Sequence, residues 1–208
     1  INLGINNILI PEENGGLGLD LLFASAVSQS LGEGVATLPF LGPYVIAPIA
    51  IKYGANDEQK EKLFNEMSQN LINFGVGFSE YFGSRDSSGL SIENNTVTGR
   101  TLFVLDTDYA SHVIICDKEG KIGFISLDSE GIEIINLTTV DKTRTYKEMN
   151  FEKTPIEILE NTKSSTVAIE MALSAGRIIT AADSLGASQA MINKAVEYSK
   201  ERKQFNRV

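Results

Sequence analysis

The segment from Ser164 to about Phe205 contains no proline, and apolar or small residues recur along it at steps of three and four. This spacing predicts one continuous helix. At about 1.5 Å per residue the helix would be roughly 60 Å long, so we expect it to belong to a helical bundle or a subunit interface. Small side chains would let neighbouring helices approach it closely, at Ala175, Gly176, Ala181, Ala182, Gly186 and Ala187.

Two other patterns precede this helix. Residues 21–73 read as three helices, the third capped by Asn56 or Asp57. From about Phe74 to Ile158 short β-rich runs alternate with Asn-, Gly- and Ser-containing turns, typical of an antiparallel sheet or small barrel. The runs are "TVTGRTLFVL", "HVIIC", "KIGFISL", "GIEIINL" and "TYKEMNF". The sequence therefore predicts an α+β multidomain fold: an N-terminal helical domain (1–73), an antiparallel β middle domain (74–160) and the first helix of a C-terminal helical bundle (161–208).

Composition excludes several classes of protein. The 208 residues are 42% hydrophobic, enough for a substantial core, and the formal net charge of −9 argues against binding to nucleic acid. No apolar run approaches the length of a membrane helix, and the first residues lack the basic start of a signal peptide. Cys116 and His112 are the only cysteine and histidine, so we expect neither a disulfide within the chain nor a metal site, and we place both residues in a strand.

The stretch "IPEENGGLGLD", Ile10 to Asp20, combines two carboxylates with three glycines. A phosphate-binding loop is one interpretation, but the glycine spacing does not fit G-x-G-x-x-G and the glutamates would repel a phosphate. A turn is favoured, in which the glycines permit positive φ and Asp20 caps a helix beginning at Leu21. The chain starts without methionine and stops just after the charged "YSKERKQFNRV", so we expect a fragment.

Three of these stretches carry a family resemblance. "IPEENGGLGLD" resembles the V-P-E-E-x-G-G-L-G-L-D of the acyl-CoA dehydrogenases, "YSKERKQFNRV" resembles their Y-x-x-x-R-x-Q-F-G-R-P, and "GFSEYFGSRD" is more loosely similar to L-T-E-P-x-A-G-S-D. The first and second occur in family order about 190 residues apart, which makes them specific. The resemblance covers essentially the whole chain and identifies it as a fragment lacking most of the C-terminal domain.

The resemblance implies FAD as cofactor and an acyl-CoA thioester as substrate. Family members remove an α-proton with a carboxylate while the β-hydrogen leaves as hydride, giving the 2,3-enoyl-CoA, and electrons then pass to an electron-transfer flavoprotein. It also implies a dimer or dimer of dimers, homomeric or heteromeric. The compartment would be the bacterial cytoplasm or the mitochondrial matrix.

The resemblance also implies which individual residues bind the cofactor. Phe78 and Ser79 match flavin contacts, and Ser84 matches the family's Gly-Ser pair after a shift of one residue. The run "FVLD" matches the W-I-T/S stretch, so Phe103 takes the aromatic position and Leu105 replaces the hydroxyl residue. Leucine has no side-chain donor, so that hydrogen bond must be lost or supplied differently. Without the resemblance, these residues are an ordinary loop serine and a buried strand.

At the end of the long helix, three residues match those that reach the FAD of a neighbouring subunit: Arg202, Gln204 and Phe205. An arginine can bridge a pyrophosphate and a phenylalanine can pack on adenosine. Without the resemblance, the same residues are a solvated helix end.

No catalytic base can be assigned from the sequence. The early base position of the family falls at Gly176, beside Arg177, and the nearby Glu170 is interpreted as a surface residue. The leading hypothesis is a dehydrogenase whose base lies beyond Val208. A non-catalytic subunit that completes the cofactor site of another chain is the alternative, and a flavin oxidase is a third possibility.

Overall fold

A computed structural model describes residues 4–83, 89–161, 165–205 and 207. Its N-terminal part contains three α-helices, α1 (Leu21–Glu33), α2 (Ala47–Gly54) and α3 (Asp57–Ser68). The Asp20 carboxylate accepts the backbone N–H groups of Leu22 and Phe23 at 2.9 and 3.3 Å. These bonds satisfy two of the unpaired donors of the first turn, and α1 begins where the sequence predicts.

The glycine-rich stretch before α1 is a turn. A short 3₁₀ helix spans Glu12–Asn14, and Gly15 and Gly18 have φ of +80° and +60°, which glycine adopts without strain. The structure therefore confirms the turn and gives no support to a phosphate-binding loop.

The other two helices are locally defined as well. A π-helical turn, Gly42–Ile46, runs directly into α2. Asn56 caps α3 by a reciprocal capping box with Gln59. The predicted helical N-terminal part is confirmed.

In the described residues that follow, eight strands form a single sheet: β1 (Phe74–Gly77), β2 (Gly89–Glu93), β3 (Thr96–Leu105), β4 (His112–Cys116), β5 (Ile122–Ser126), β6 (Ile132–Leu137), β7 (Tyr146–Pro155) and β8 (Glu157–Ile158). The order is β6-β7-β3-β1-β4-β5-β8, with β2 paired to β3. All pairs are antiparallel except β1 with β4. The predicted α+β class is confirmed, although β1, β2 and β8 are not among the strands that the sequence predicts.

The sheet carries a core on each face. One core joins the sheet to the helices through Ile51, Phe74, Ile114 and Ile169, and the other contains Val104, Val113 and Met149. Cys116 is fully buried in β4, as predicted, and burial raises the pKa of its thiol well above the usual range.

The long helix α4 spans Ser165–Glu201 and ends four residues before the predicted limit. Its first half is buried at Ala168, Ile169, Ala172, Ala175 and Ile179, and it packs along α1. By contrast, residues 191–200 are all exposed. The predicted boundaries between the three domains stay predictions.

Candidate functional site

The turn after β1 ties two of the predicted cofactor residues to the sheet. Phe78 is buried at 4% exposure, and Ser79 opens a 3₁₀ turn that ends at Phe82. The Ser79 hydroxyl donates to the carbonyl oxygen of Leu102 at 2.5 Å and lies 3.4 Å from the Thr101 hydroxyl. The turn is thereby anchored to β3. Ser84 lies outside the described residues.

A bulge in β3 presents an aromatic ring. The pairing of β3 with β7 shifts register between Thr101 and Val104, and Phe103 adopts φ of +57°, uncommon for a residue other than glycine. Its ring is 39% exposed and meets Tyr146 edge to face, at 6.4 Å between centroids. Bulges are frequent beside functional sites because they redirect a side chain.

Leu105 comes at the end of the same strand, paired with Val76 of β1, and its side chain is only 8% exposed. Its apolar side chain cannot donate a hydrogen bond from this position. The assignment of Leu105 to the hydroxyl position of the family stays a prediction.

The three residues predicted at the end of α4 form a separate group. The Arg202 guanidinium donates to the Tyr198 hydroxyl at 2.9 Å and lies 5.5 Å from the centre of that ring. Gln204 exchanges backbone hydrogen bonds with Arg207, and Phe205 is 97% exposed. The group follows a stretch of α4, residues 191–200, in which every residue is exposed.

An apolar groove of about 530 Å³ lies between the π-helical turn and α4. Its walls include Leu41, Ile46, Phe82, Leu173, Gly176 and Arg177. None of the described residues that line it carries a carboxylate. A Cβ placed on Gly176 would stand 3.2 Å from Ile46 Cδ1, so any side chain here would press on the opposite wall.

Sequence reasoning found only Gly176 and Arg177 among the residues of this groove. The Arg177 guanidinium lies 5.8 Å from the centre of the Phe82 ring, which places a cation at the edge of the apolar surface. Glu170 is exposed as predicted, and its hydrogen bond to the Tyr81 hydroxyl raises the pKa of that tyrosine. Leu41, Phe82 and Leu173 were missed because their apolar side chains read as ordinary core residues.

The chemistry of these side chains fits FAD in most respects. Phe103 offers a partly exposed aromatic ring to a flavin, and the Ser79 hydroxyl, which donates to the Leu102 carbonyl, can still accept a hydrogen bond. Arg202 and Phe205, both exposed, offer a guanidinium for a pyrophosphate and a ring for adenosine. Leu105 is the one mismatch.

The described part of the chain contains neither a candidate metal site nor a candidate membrane-spanning helix. No group of three or more His, Cys, Asp or Glu side chains there is placed to hold a metal ion. Within the same residues, no helix combines the length and apolar character needed to cross a bilayer.

The described chain thus combines a helical part, a mostly antiparallel sheet and a long helix, with an apolar groove between the π-helical turn and α4. The family described as "Acyl-CoA dehydrogenase, N-terminal domain" matches residues 1–70. The 3-(aryl)acrylate reductase of Clostridium sporogenes is 26% identical over 98% of this chain and 60% of its own length. The caffeyl-CoA reductase-Etf complex subunit CarC of Acetobacterium woodii is 25% identical over 98% of this chain and 59% of its own length.

Solved structures show the same fold. Butyryl-CoA dehydrogenase from Megasphaera elsdenii superposes with a TM-score of 0.84 at 21% identity, covering 99% of this chain and 60% of the other. An acyl-CoA dehydrogenase complexed with FAD from Bacillus anthracis gives 0.83 at 15% identity, covering 99% and 38%. On these findings residues 1–70 match the N-terminal domain of the acyl-CoA dehydrogenase family, and the chain resembles members of that family in sequence and in fold. It spans about 60% of the length of the curated relatives given above.

Proposed function

We propose that this chain forms part of an FAD-dependent enzyme that dehydrogenates an acyl-CoA thioester to the 2,3-enoyl-CoA. The observation that carries the proposal is the apolar groove between the π-helical turn and α4, in a chain that resembles this family. Binding sites for apolar groups are concave and lined mainly by hydrophobic side chains, with a few polar groups at defined places. The groove has this character, and Arg177 is the only charged residue among the described residues that line it.

Residues of this chain would act on both the cofactor and the substrate. Phe78, Ser79, Phe103 and Leu105 would contact the flavin ring, and Ser84 is retained as a further cofactor residue on the resemblance alone. When bound, FAD supplies the acceptor for the β-hydrogen. In the groove, Leu41, Ile46 and Leu173 would hold the acyl chain and exclude water.

Arg202, Gln204 and Phe205 would contact the FAD of a second subunit. Their exposure at the end of α4 supports this role, because exposed side chains can contact another subunit. We therefore propose a dimer or dimer of dimers, homomeric or heteromeric. The domains would divide at 1–73, 74–160 and 161–208.

Removal of the α-proton requires a base within hydrogen-bond reach of that carbon. No described lining residue of the groove carries a carboxylate, and Gly176 has no side chain. We propose that the base lies outside residues 1–208. Electrons would pass to an electron-transfer flavoprotein, a partner supported by the Etf complex to which the Acetobacterium relative belongs. The enzyme would work in the bacterial cytoplasm or the mitochondrial matrix.

A second candidate function is a non-catalytic subunit that completes the cofactor site of another chain. It is favoured by the buried Leu105, which leaves no hydroxyl where the family has one, and by the absence of a carboxylate at Gly176. In this case Arg202 and Phe205 would still serve a neighbouring subunit.

The visible spectrum of the full-length protein, purified alone, distinguishes these functions. A yellow protein that bleaches on anaerobic addition of butyryl-CoA, octanoyl-CoA or 3-phenylpropionyl-CoA supports the dehydrogenase. A yellow protein that none of these thioesters bleaches, or a colourless one, contradicts catalysis by this chain and favours the non-catalytic subunit. Formation of peroxide in aerated buffer would instead indicate an oxidase.

A further inference from the structure

A buried carboxylate connects the end of β3 to the π-helical turn. Asp106 follows Leu105 directly, adopts φ of +59° and is only 6% exposed. Its Oδ2 accepts the backbone N–H of Gly42 at 2.9 Å. The first N–H groups of a helix have no partner within the helix and carry partial positive charge, so a carboxylate is a favourable acceptor there.

This contact requires glycine at position 42. A Cβ on Gly42 would stand 2.9 Å from Asp106 Oδ2 and 3.2 Å from Asp106 Cβ. Gly42 is buried and accepts the N–H of Ala47, so it closes the π-helical turn at one end while meeting Asp106 at the other. The two residues therefore set the place where this turn meets the sheet.

The turn held in this way forms one wall of the apolar groove. Leu41 directly precedes it and Ile46 ends it, and both side chains line the groove. Ile46 lies opposite Gly176 of α4. A shift of the turn by a fraction of an ångström would thus change the width of the groove at Gly176.

Asp106 is also linked to the opposite wall. Arg144 attracts the Asp106 carboxylate and forms an ion pair with Asp183 of α4 at 3.8 Å. Burial raises the pKa of the Asp106 carboxyl, whereas the Gly42 N–H and Arg144 oppose this shift and Asp108 adds to it. The Asp106 carboxylate thus bonds to the π-helical turn and is attracted by Arg144 of the loop before β7, which in turn pairs with α4.

We propose that Asp106 is a positioning residue, which acts through Gly42 to hold the groove wall formed by Leu41 and Ile46 at a set distance from α4. Leu105, its neighbour in the chain, is one of the predicted flavin contacts. Asp106 therefore connects the groove wall to the proposed flavin site. The inference rests on the proposed function for its effect on substrate, but its effect on the turn can be measured without substrate.

The test compares Asp106→Ala with Asp106→Asn in the full-length protein. Asp108→Ala is the matched control, because Asp108 is a neighbouring carboxylate that pairs with Lys147. Amide exchange of the peptide covering residues 40–47 should become about tenfold faster in Asp106→Ala, since a bond between a charged acceptor and a helix N–H is lost. Asp106→Asn keeps an acceptor oxygen and should restore most of the protection, and the control should behave like the wild type.

Steady-state kinetics provide the second measurement. Asp106→Ala should raise KM for octanoyl-CoA by about tenfold and change kcat by less than about threefold, with FAD content unchanged, because only the shape of the groove is altered. Asp106→Asn should lie near the wild type. If Asp106→Ala does not fold, Gly42→Ala replaces it, because the added methyl disturbs the same contact from the other side.

Unchanged exchange and unchanged KM in these variants would overturn the assignment. Failure of the wild-type protein to reduce any thioester would overturn the proposed function instead. The exchange measurement separates the two outcomes, because faster exchange at residues 40–47 still supports the positioning role in a protein that does not turn over.

Discussion

The backbone carbonyl of Gln29 in α1 occupies the space that a side chain at Gly186 of α4 would need. Likewise, the backbone carbonyl of Asp183 in α4 occupies the space that a side chain at Gly32 of α1 would need. The Ser28 hydroxyl donates to the carbonyl of Ile179 at 2.9 Å along the same line of contact. The two helices therefore touch backbone to backbone, which only residues without bulky side chains allow.

Replacement of Gly186 by alanine should destabilise the protein. The new methyl would overlap the Gln29 carbonyl, so the helices must separate, at a cost of about 1–3 kcal/mol in the free energy of unfolding. Gly34→Ala is the matched control, since the atoms nearest to its Cβ lie at 3.8 Å and its φ is −86°. Chemical denaturation of both variants measures the difference, and equal midpoints would contradict the close contact.

Replacement of Val35 by glycine should instead stabilise the protein. Val35 has φ of +50°, a strained conformation for a β-branched residue, and its side chain is 63% exposed. Val35→Gly should raise the free energy of unfolding by about 0.5–1 kcal/mol, because relief of strain exceeds the entropy that glycine adds to the unfolded chain. Val35→Thr keeps the branched Cβ and should show no gain. A Val35→Gly protein less stable than the wild type would argue against strain at this position.

Arg202→Ala tests the cofactor role of the helix end. We expect lower FAD retention after gel filtration, with the free energy of unfolding of the FAD-free protein within about 0.5 kcal/mol of wild type, because an exposed side chain contributes little to the core. Lys203→Ala, an adjacent exposed cation, should retain FAD normally. An unchanged flavin to protein ratio in Arg202→Ala would remove this residue from the site.

His112 should make the protein sensitive to acid. Burial between Phe74 and Phe124 lowers its pKa from 6.5, although Glu66 and Asp128 oppose the shift. Below its usual pKa the unfolded chain binds a proton that the folded protein resists, so stability falls as the pH decreases from 6.5 towards the lowered value.

Thermal unfolding between about pH 7.5 and about pH 5 measures this effect. His112→Gln should lose less stability than the wild type over the acidic part of the range, because its side chain does not titrate. Parallel curves for the two proteins would show that the histidine takes its proton equally well in both states.

Much of the fold could be predicted because its signals are local. Asp20 and Asn56 cap helices within three residues of their own positions, so the starts of α1 and α3 are visible in the sequence. The predicted runs "TVTGRTLFVL" and "HVIIC" coincide with β3 and β4. Asn-Asn and Gly turns mark where such strands stop.

Strand β1 could not be predicted because its stability comes from its neighbours. Two of its four residues are glycines, which are poor strand formers. A Cβ on Gly75 would overlap the methyl group of Thr107. Glycine is therefore needed here because of packing against a residue 32 positions later in the chain. Its parallel pairing with β4 is equally remote in sequence.

The candidate site, like the fold, could be predicted only in part from the sequence. Motif resemblance supplied the residues that resemble known cofactor contacts, including Phe103 and Arg202, but it gave no sign that Phe103 stands on a bulge or that Arg202 follows an exposed stretch of α4. The apolar wall made by Leu41 and Ile46 carries no motif. Its place beside Gly176 depends on packing between segments more than 100 residues apart.

The sequence alone determined most of the elements, the caps, the small-residue face of α4 and the family resemblance, because these depend on residue type and short spacing. Only the tertiary structure decided which of these elements meet. Asp106 and Gly42 are 64 residues apart in sequence, yet they share a buried hydrogen bond. A contact of this kind depends on chain topology, since a carboxylate shows no local sign of the N–H that it will accept.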